Sequence, residues 1–448
     1  MIIDYRFVIL VITLSFLISG AAYCNDEQTN ADNDSLYIHP EVMDAHRGWE
    51  KAVAYPGLAL YSPIKYSVLG FGKAVGWVDD TKIIDQVVDF LNSDDGRRGV
   101  IPTYNVRTGS GAKFYQKGLF GVSNDRNILE LTATAGLHTE QLFMLEYDNF
   151  LSTNNSLNFN LGAQFQKLTS ESFFGLGPNS IDANEWGYGV EEVNVDLEIS
   201  GSPKLLDNTV LNLGYESTFP SEDVESEIPD LYSETDGFFR PQEKQNMMYV
   251  MLSRNILVQN RLGNPTRGTI YSIRASLYGD VGNPIHNDRP RPSPTASSTG
   301  DSIQEAGKFA WYELDLQQLI SLKYDRVLAI RVAGEARRPL NDSYIPFYYL
   351  SELGNSESIR GFKRGRFRDR DKLLATFEYR YPVWRNWNER GMDLVLFADT
   401  GQVSNNIFKE AQISNFKTEV GFGYLTWHVK GLVSTLYVAN WEDGWRIS

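Results

Sequence analysis

Beyond its first two dozen residues this chain has no apolar run near the about 20 residues a helix needs to cross a bilayer, yet long stretches alternate apolar and polar side chains one for one. In Thr269–Leu277, residues Thr269, Tyr271, Ile273, Ala275 and Leu277 share one face, and Ser272, Arg274 and Ser276 the other. In Leu328–Ala336, Leu328, Ile330, Val332, Gly334 and Ala336 oppose Arg331, Ala333 and Glu335. In Ala310–Leu316, Ala310, Tyr312, Leu314 and Leu316 oppose Trp311, Glu313 and Asp315. A period of two is that of a β-strand, whose successive side chains point to opposite sides. One apolar and one charged face fit two architectures. A membrane barrel turns its apolar face to lipid and its polar face to a wet lumen. A soluble barrel or sandwich does the reverse.

Connection lengths separate the two. The pattern marks sixteen strand candidates, near 99–108, 111–120, 127–137, 139–149, 156–168, 186–200, 207–218, 246–257, 267–279, 308–319, 325–337, 372–382, 391–401, 414–427, 431–440 and 444–448. Tight connections follow even-numbered strands: Leu151–Asn155, Gly201–Leu206, Ser321–Tyr324 and His428–Lys430. Long ones follow odd-numbered strands: Thr169–Asn184, Phe219–Lys244, Asp280–Gly307 and Pro339–Asp371. Short periplasmic turns and long outer loops are the habit of a membrane barrel. Phe219–Lys244 holds eight acidic residues, and Asp280–Gly307 is rich in Pro and Ser, so both read as surface loops. The expected fold is all-β: a transmembrane antiparallel β-barrel of 16 strands over residues 99–448, with a short helical segment before it.

Residues 1–24 read as a secretory signal: Arg6, the apolar run Phe7 to Ile18, then Gly20-Ala21-Ala22. Cys24 is the only cysteine, so no internal disulfide is possible, and Tyr23 stands where a lipoprotein signal needs a small residue. Residues 25–98 form a polar linker and an amphipathic helical segment. Ser62-Pro63 suits a helix start, and Ile83, Ile84, Val87, Val88, Phe90 and Leu91 share a helical stripe. This segment is either a structural lead-in or one that lies on the membrane surface or in the barrel mouth.

The 57 acidic against 42 basic residues, a formal net charge of −15, argue against a nucleic-acid partner, whose phosphates need a basic surface. Aromatics at 13% suit interfacial girdles. Mean hydropathy of −0.32 does not exclude a barrel, in which only alternate residues meet lipid. The five histidines, His39, His46, His138, His286 and His428, have no metal spacing, and no phosphate loop, G-x-S-x-G or Cys–His site is present. The expectation is no enzyme, no metal and no cofactor.

One constellation stands out. The candidate strand 372–382 turns Thr376, Glu378 and Arg380 inward. The next turns Asp393, Val395, Phe397, Asp399 and Gly401 inward. Glu378 and Asp399 are thus inward carboxylates on neighbouring strands, and Arg360 lies on the long loop just before them. A loop folded into the lumen brings the guanidinium between both carboxylates, a pairing that suits arginine's planar fork. Gly361 would allow a tight turn, with Phe362 or Phe397 packed round the ion pair. The alternative is a solvated basic loop, since Lys363, Arg364, Arg366 and Arg368 follow.

The run Ile359-Arg360-Gly361-Phe362 followed by Phe397-Ala398-Asp399-Thr400-Gly401 resembles the (V/I)-R-G-(F/Y) loop and F-x-D-x-G strand of the BamA/TamA family, the bacterial surface antigens. The resemblance extends over roughly residues 99–448. It implies an outer-membrane barrel of Gram-negative type that inserts or translocates other proteins. Its loop arginine would tuck into the lumen, with Ile359, Arg360, Gly361, Phe362, Phe397, Asp399 and Gly401 at the matching positions. Expected partners are outer-membrane lipid, client proteins and periplasmic partners, around a monomeric barrel. Residues 37–98 lack the alternating strands of a POTRA module, and the last candidate strand is short and lacks a terminal aromatic, with Trp445 the nearest substitute. The alternatives are a narrow channel or purely structural barrel and, with least support, a rim enzyme.

Overall fold

The computed structural model describes residues 91–448 except 94, 106, 120–126, 137–138, 151–156, 202–207, 222–243, 262, 283–306, 342, 344, 387–389, 429–430, 442–443 and 448. The expected signal, Cys24, the helical stripe up to residue 90 and most of the two long loops at 219–244 and 280–307 lie outside the described residues.

The described chain is almost all strand. In order these are β1 (Arg98–Asn105), β2 (Gly109–Lys117), β3 (Ile128–Ala135), β4 (Gln141–Asp148), β5 (Leu157–Phe173), β6 (Trp186–Gly201), β7 (Thr209–Ser221), β8 (Gln245–Gln259), β9 (Gly268–Asp280), β10 (Lys308–Ser321), β11 (Val327–Leu340), β12 (Ser351–Leu353), β13 (Phe367–Asp369), β14 (Asp371–Asn386), β15 (Arg390–Ser404), β16 (Lys417–His428), β17 (Gly431–Trp441) and β18 (Gly444–Ile447). All but β12 and β13 form one antiparallel sheet in which each strand pairs with the next in sequence, β11 passing directly to β14. Among the described residues no ladder joins β1 to β18. β12 and β13 make a separate two-stranded sheet inside the long β11–β14 loop. Three residues per strand are too few for alternation to announce them.

The register at the site sets the expected inward residues side by side. Thr376 faces Asp399 and Glu378 faces Phe397 across β14–β15. β5 runs past the expected end at 168 to Phe173, with a bulge between Leu168 and Glu171. The extra residue shifts the parity there, so alternation stops while the strand continues.

The sheet is inside-out for a water-soluble protein. Phe377 and Leu396 are each 50% exposed, while Glu378 and Asp399 beside them are 7% and 0% exposed. Exposed apolar residues recur on the same face, among them Phe143, Val193, Leu252, Leu277 and Val332. Leaving each such side chain in water forfeits about 1.5–3 kcal/mol.

The loop reaches across the sheet. Arg368 in the loop bonds Tyr188 on β6, and Arg360 bonds Asp399 on β15. Those strands lie seven places apart in the sheet, roughly 34 Å if flat at about 4.8 Å per strand.

Candidate functional site

The β11–β14 loop enters the inner face and sets Arg360 against β14, β15 and β17. Its Nε donates to Asp399 Oδ2 at 3.0 Å and its Nη2 to Asp399 Oδ1 at 3.3 Å. Nη2 also lies 3.1 Å from Glu378 Oε2. The guanidinium carbon is 3.9 Å from the centre of the Phe397 ring and 4.5 Å from that of Tyr437. The two rings meet edge to face with centroids 5.4 Å apart. Two carboxylates and two aromatic faces thus share one planar cation. Burial works against the charge of Arg360. Asp399 and Glu378 outweigh it, and the pKa is held above the usual guanidinium value.

The carboxylates are themselves held. Arg380 donates to Glu378 at 2.6 Å, and Thr376 hydrogen-bonds Asp399. Glu419 on β16, the register partner of Asp399, accepts from the Gly361 N–H at 2.6 Å. The residues flanking Arg360 take a different surface. Ile359 and Phe362 are buried with Ala333, Leu353, Phe367, Leu374 and Val403. Phe362 packs on Phe367 with centroids 5.2 Å apart.

All eight expected residues, Ile359, Arg360, Gly361, Phe362, Glu378, Phe397, Asp399 and Gly401, are therefore brought to one place. Of the two aromatic residues expected at the ion pair, Phe362 and Phe397, it is Phe397 that lies on it. One reason differs from that expected. Gly361 does not supply a positive φ; the positive-φ glycines of this loop are Gly354 and Gly365. What Gly361 supplies is closeness, because a Cβ there would stand 2.2 Å from Glu419 Oε2. Gly401 answers the same need: a Cβ would meet Leu373 O at 2.9 Å and Leu353 Cδ1 at 3.1 Å.

The expected solvated character of Arg366 is wrong. Arg364 is half exposed, with its side chain at 50%, but Arg366 and Arg368 are 6% and 1% exposed. The local run of basic residues looks like a surface loop because Ser180 and Asp182, which hold Arg366, and Tyr188, which holds Arg368, lie more than 170 residues earlier in the chain. Glu419, Tyr437 and two glycines were also not foreseen. Gly421 faces Phe397 and Gly423 faces Tyr437 in the ladders. A Cβ would lie 2.4 Å from the ring in each case. The visible signal was Gly421-Phe422-Gly423, which empties two inward positions beside the aromatic residues.

A polar cavity of about 160 Å³ adjoins the ion pair, lined by Arg331, Ser356, Ser358, Arg360, Glu378 and Tyr437 among others. Arg331, paired with Asp315 at 2.6 Å, donates from Nη1 to the Glu357 carbonyl at 2.6 Å and ties the loop to β11. The arrangement is a tether: a loop segment fixed to the inner wall by buried charge.

Three comparisons bear on this geometry. The model of the Omp85 superfamily domain matches residues 126–428. The fold is similar to that of BamA from Haemophilus ducreyi lacking POTRA domains 1-3, at 13% identity and a TM-score of 0.50, over 78% of this chain and 65% of that one. It is also similar to CdiB from Escherichia coli (8% identity, TM-score 0.46, 78% and 60% of the chains) and CdiB from Acinetobacter baumannii (11%, 0.41, 78% and 57%). The chain thus spans less than two thirds of each of these structures. A search of curated proteins matches none.

Proposed function

The chain belongs to the Omp85 superfamily, and from that premise we propose that it closes into an outer-membrane β-barrel that inserts or translocates other polypeptides, without catalysis of its own. The observation that carries the reading is the Arg360 tether. It commits a long loop to the inner face of an inside-out sheet, which suits a wall that must stay shaped while a client passes. Lipid is the solvent for the exposed apolar face, and the buried charges line the lumen.

We place the join between the first and last strands as the side at which clients meet the sheet. β1 to β4 are eight or nine residues long, whereas β5 to β11 run to 13–17. A tilted membrane strand needs about 9–11 residues. The first four strands therefore span a thinner hydrocarbon layer and form fewer ladder hydrogen bonds than β5–β11 do. A bilayer thinned beside them is easier to enter.

The test is reconstitution. The purified protein in liposomes should speed the folding of an unfolded barrel client, and crosslinks to that client should map to β1–β4. Ion conduction in a planar bilayer with no effect on client folding would instead identify a channel.

A further inference from the structure

The loop carries a second attachment whose partners lie on β6 and the β5–β6 connection, β6 being seven places from β15 in the sheet. Arg368 Nη2 donates to Tyr188 Oη at 2.9 Å and also lies 2.8 Å from Glu352, its register partner in the β12–β13 hairpin. Arg366 donates from Nη1 to Ser180 Oγ at 2.8 Å, and its Nε is 3.3 Å from Asp182. The backbone takes part as well. The Ser180 hydroxyl donates to the Arg366 carbonyl at 2.9 Å, and the Gly177 N–H to the Arg368 carbonyl at 2.8 Å. Lys363 reaches Glu185 at 2.6 Å. Segment 363–368 is thus bound to the β5–β6 connection by both side chains and main chain. Nearby, Phe347 from the front of the same loop packs edge to face on Phe173 and Tyr188.

We propose that Arg366 and Arg368 form a second, independent lock, and that the loop is a strut between β5–β6 and β14–β17 rather than a flap hinged on Arg360. The two attachments share no partner. Arg360 is held by β14, β15 and β17, and Arg368 by β6. Arg360 lies on the segment that joins β12 to β13, and the ladder of those strands and the Arg368–Glu352 pair brace the base of that segment, so strain at one attachment is not relieved at the other. A loop fastened at two ends leaves its place only when both are undone. Arg366 and Arg368 are accordingly positioning residues. As the pore readout below assumes a closed barrel, the inference rests on the proposed architecture, though not on any client.

The experiment uses the full chain, folded in detergent and in planar bilayers. Arg360→Ala, Arg368→Met and the double variant are compared by ion conductance and by trypsin cleavage within the loop on unheated protein. Redundancy of the two locks on one loop predicts that each single variant stays near the parent in conductance. The double variant should open a pore and expose the loop by more than the product of the two single effects, the sign of coupling through a shared element. If Arg360→Ala alone conducts as freely as the double variant, the second lock holds nothing and the proposal fails. Tyr188→Phe with Ser180→Ala, which remove only hydroxyls facing the loop, replace Arg368→Met should that variant misfold. In the Arg360→Ala background they must raise conductance, and no rise overturns the proposal. Conductance and cleavage read the loop alone. Failure of client insertion with intact coupling would therefore discard the assembly reading and leave the strut.

Discussion

Arg360→Ala leaves Asp399, fully buried, and Glu378, nearly so, without the cation that joins them. Removing one partner of a buried pair costs about 3–5 kcal/mol, less where water reaches the survivors. The expected outcome is a lower temperature of gel-shift unfolding. Arg360→Lys should recover part of the loss, because a point charge cannot hold two oxygens of Asp399 and one of Glu378 in the fork geometry. Arg364→Ala is the control. Its side chain is half exposed and its nearest carboxylate, Glu171, is 3.9 Å away, so its effect should be near zero. Arg366→Ala should not resemble it, since it removes the donor to Ser180 in a buried setting. Equal melting for Arg364→Ala and Arg366→Ala would mean the second attachment is slack. Arg360 was legible in the chain because its partners follow soon after it, on two strands whose parity could be counted. Arg366 and Arg368 were not, because nothing near them in sequence distinguishes a buried guanidinium from a solvated one.

At the scale of elements, the β15–β16–β17 ladder seats the ion pair through absent side chains. Phe397 and Tyr437 occupy space left by Gly421 and Gly423 on the strand between them. Gly421→Ala should push Phe397 off the guanidinium and destabilise the fold by about 1–3 kcal/mol, the usual cost of overpacking. Gly136→Ala meets only the Glu140 side chain, which can turn aside, and should be tolerated far better. Thermal gel-shift on both variants decides the point. The strands themselves were readable, since an apolar face and a charged face impose opposite demands on alternate residues. The end of β5 was not, because a bulge restores pairing only after the alternation has slipped. The β12–β13 hairpin was invisible for another reason: it is held by its fit to the wall, not by a pattern of its own.

For the whole molecule, the proposed barrel makes two checks available. The protein should fractionate with the outer membrane and migrate faster on unheated gels, because a closed sheet with every backbone group paired resists detergent. Recovery in the soluble fraction without a heat-dependent shift would contradict it. Connections after odd-numbered strands should face outward. An epitope inserted between residues 283 and 306 should bind antibody on intact cells, and one in the β10–β11 turn only after the outer membrane is opened. The reverse pattern would invert the topology.

Alternation and connection lengths in this chain pointed to an antiparallel all-β sheet with one apolar and one charged face, and the two short motifs, through the resemblance they carry, pointed to the meeting of Arg360 with Glu378 and Asp399. These are local properties: side-chain parity depends on the backbone pleat, and the motif residues lie within two strands of each other. Tertiary structure alone decided what the loop does at its other end, where Arg366 and Arg368 meet Ser180 and Tyr188. It also decided why Gly361, Gly421 and Gly423 must be small. Those contacts exist because one loop reaches strands seven places apart in the sheet, and which distant strands a loop meets is a property of the assembled sheet that no stretch of sequence displays.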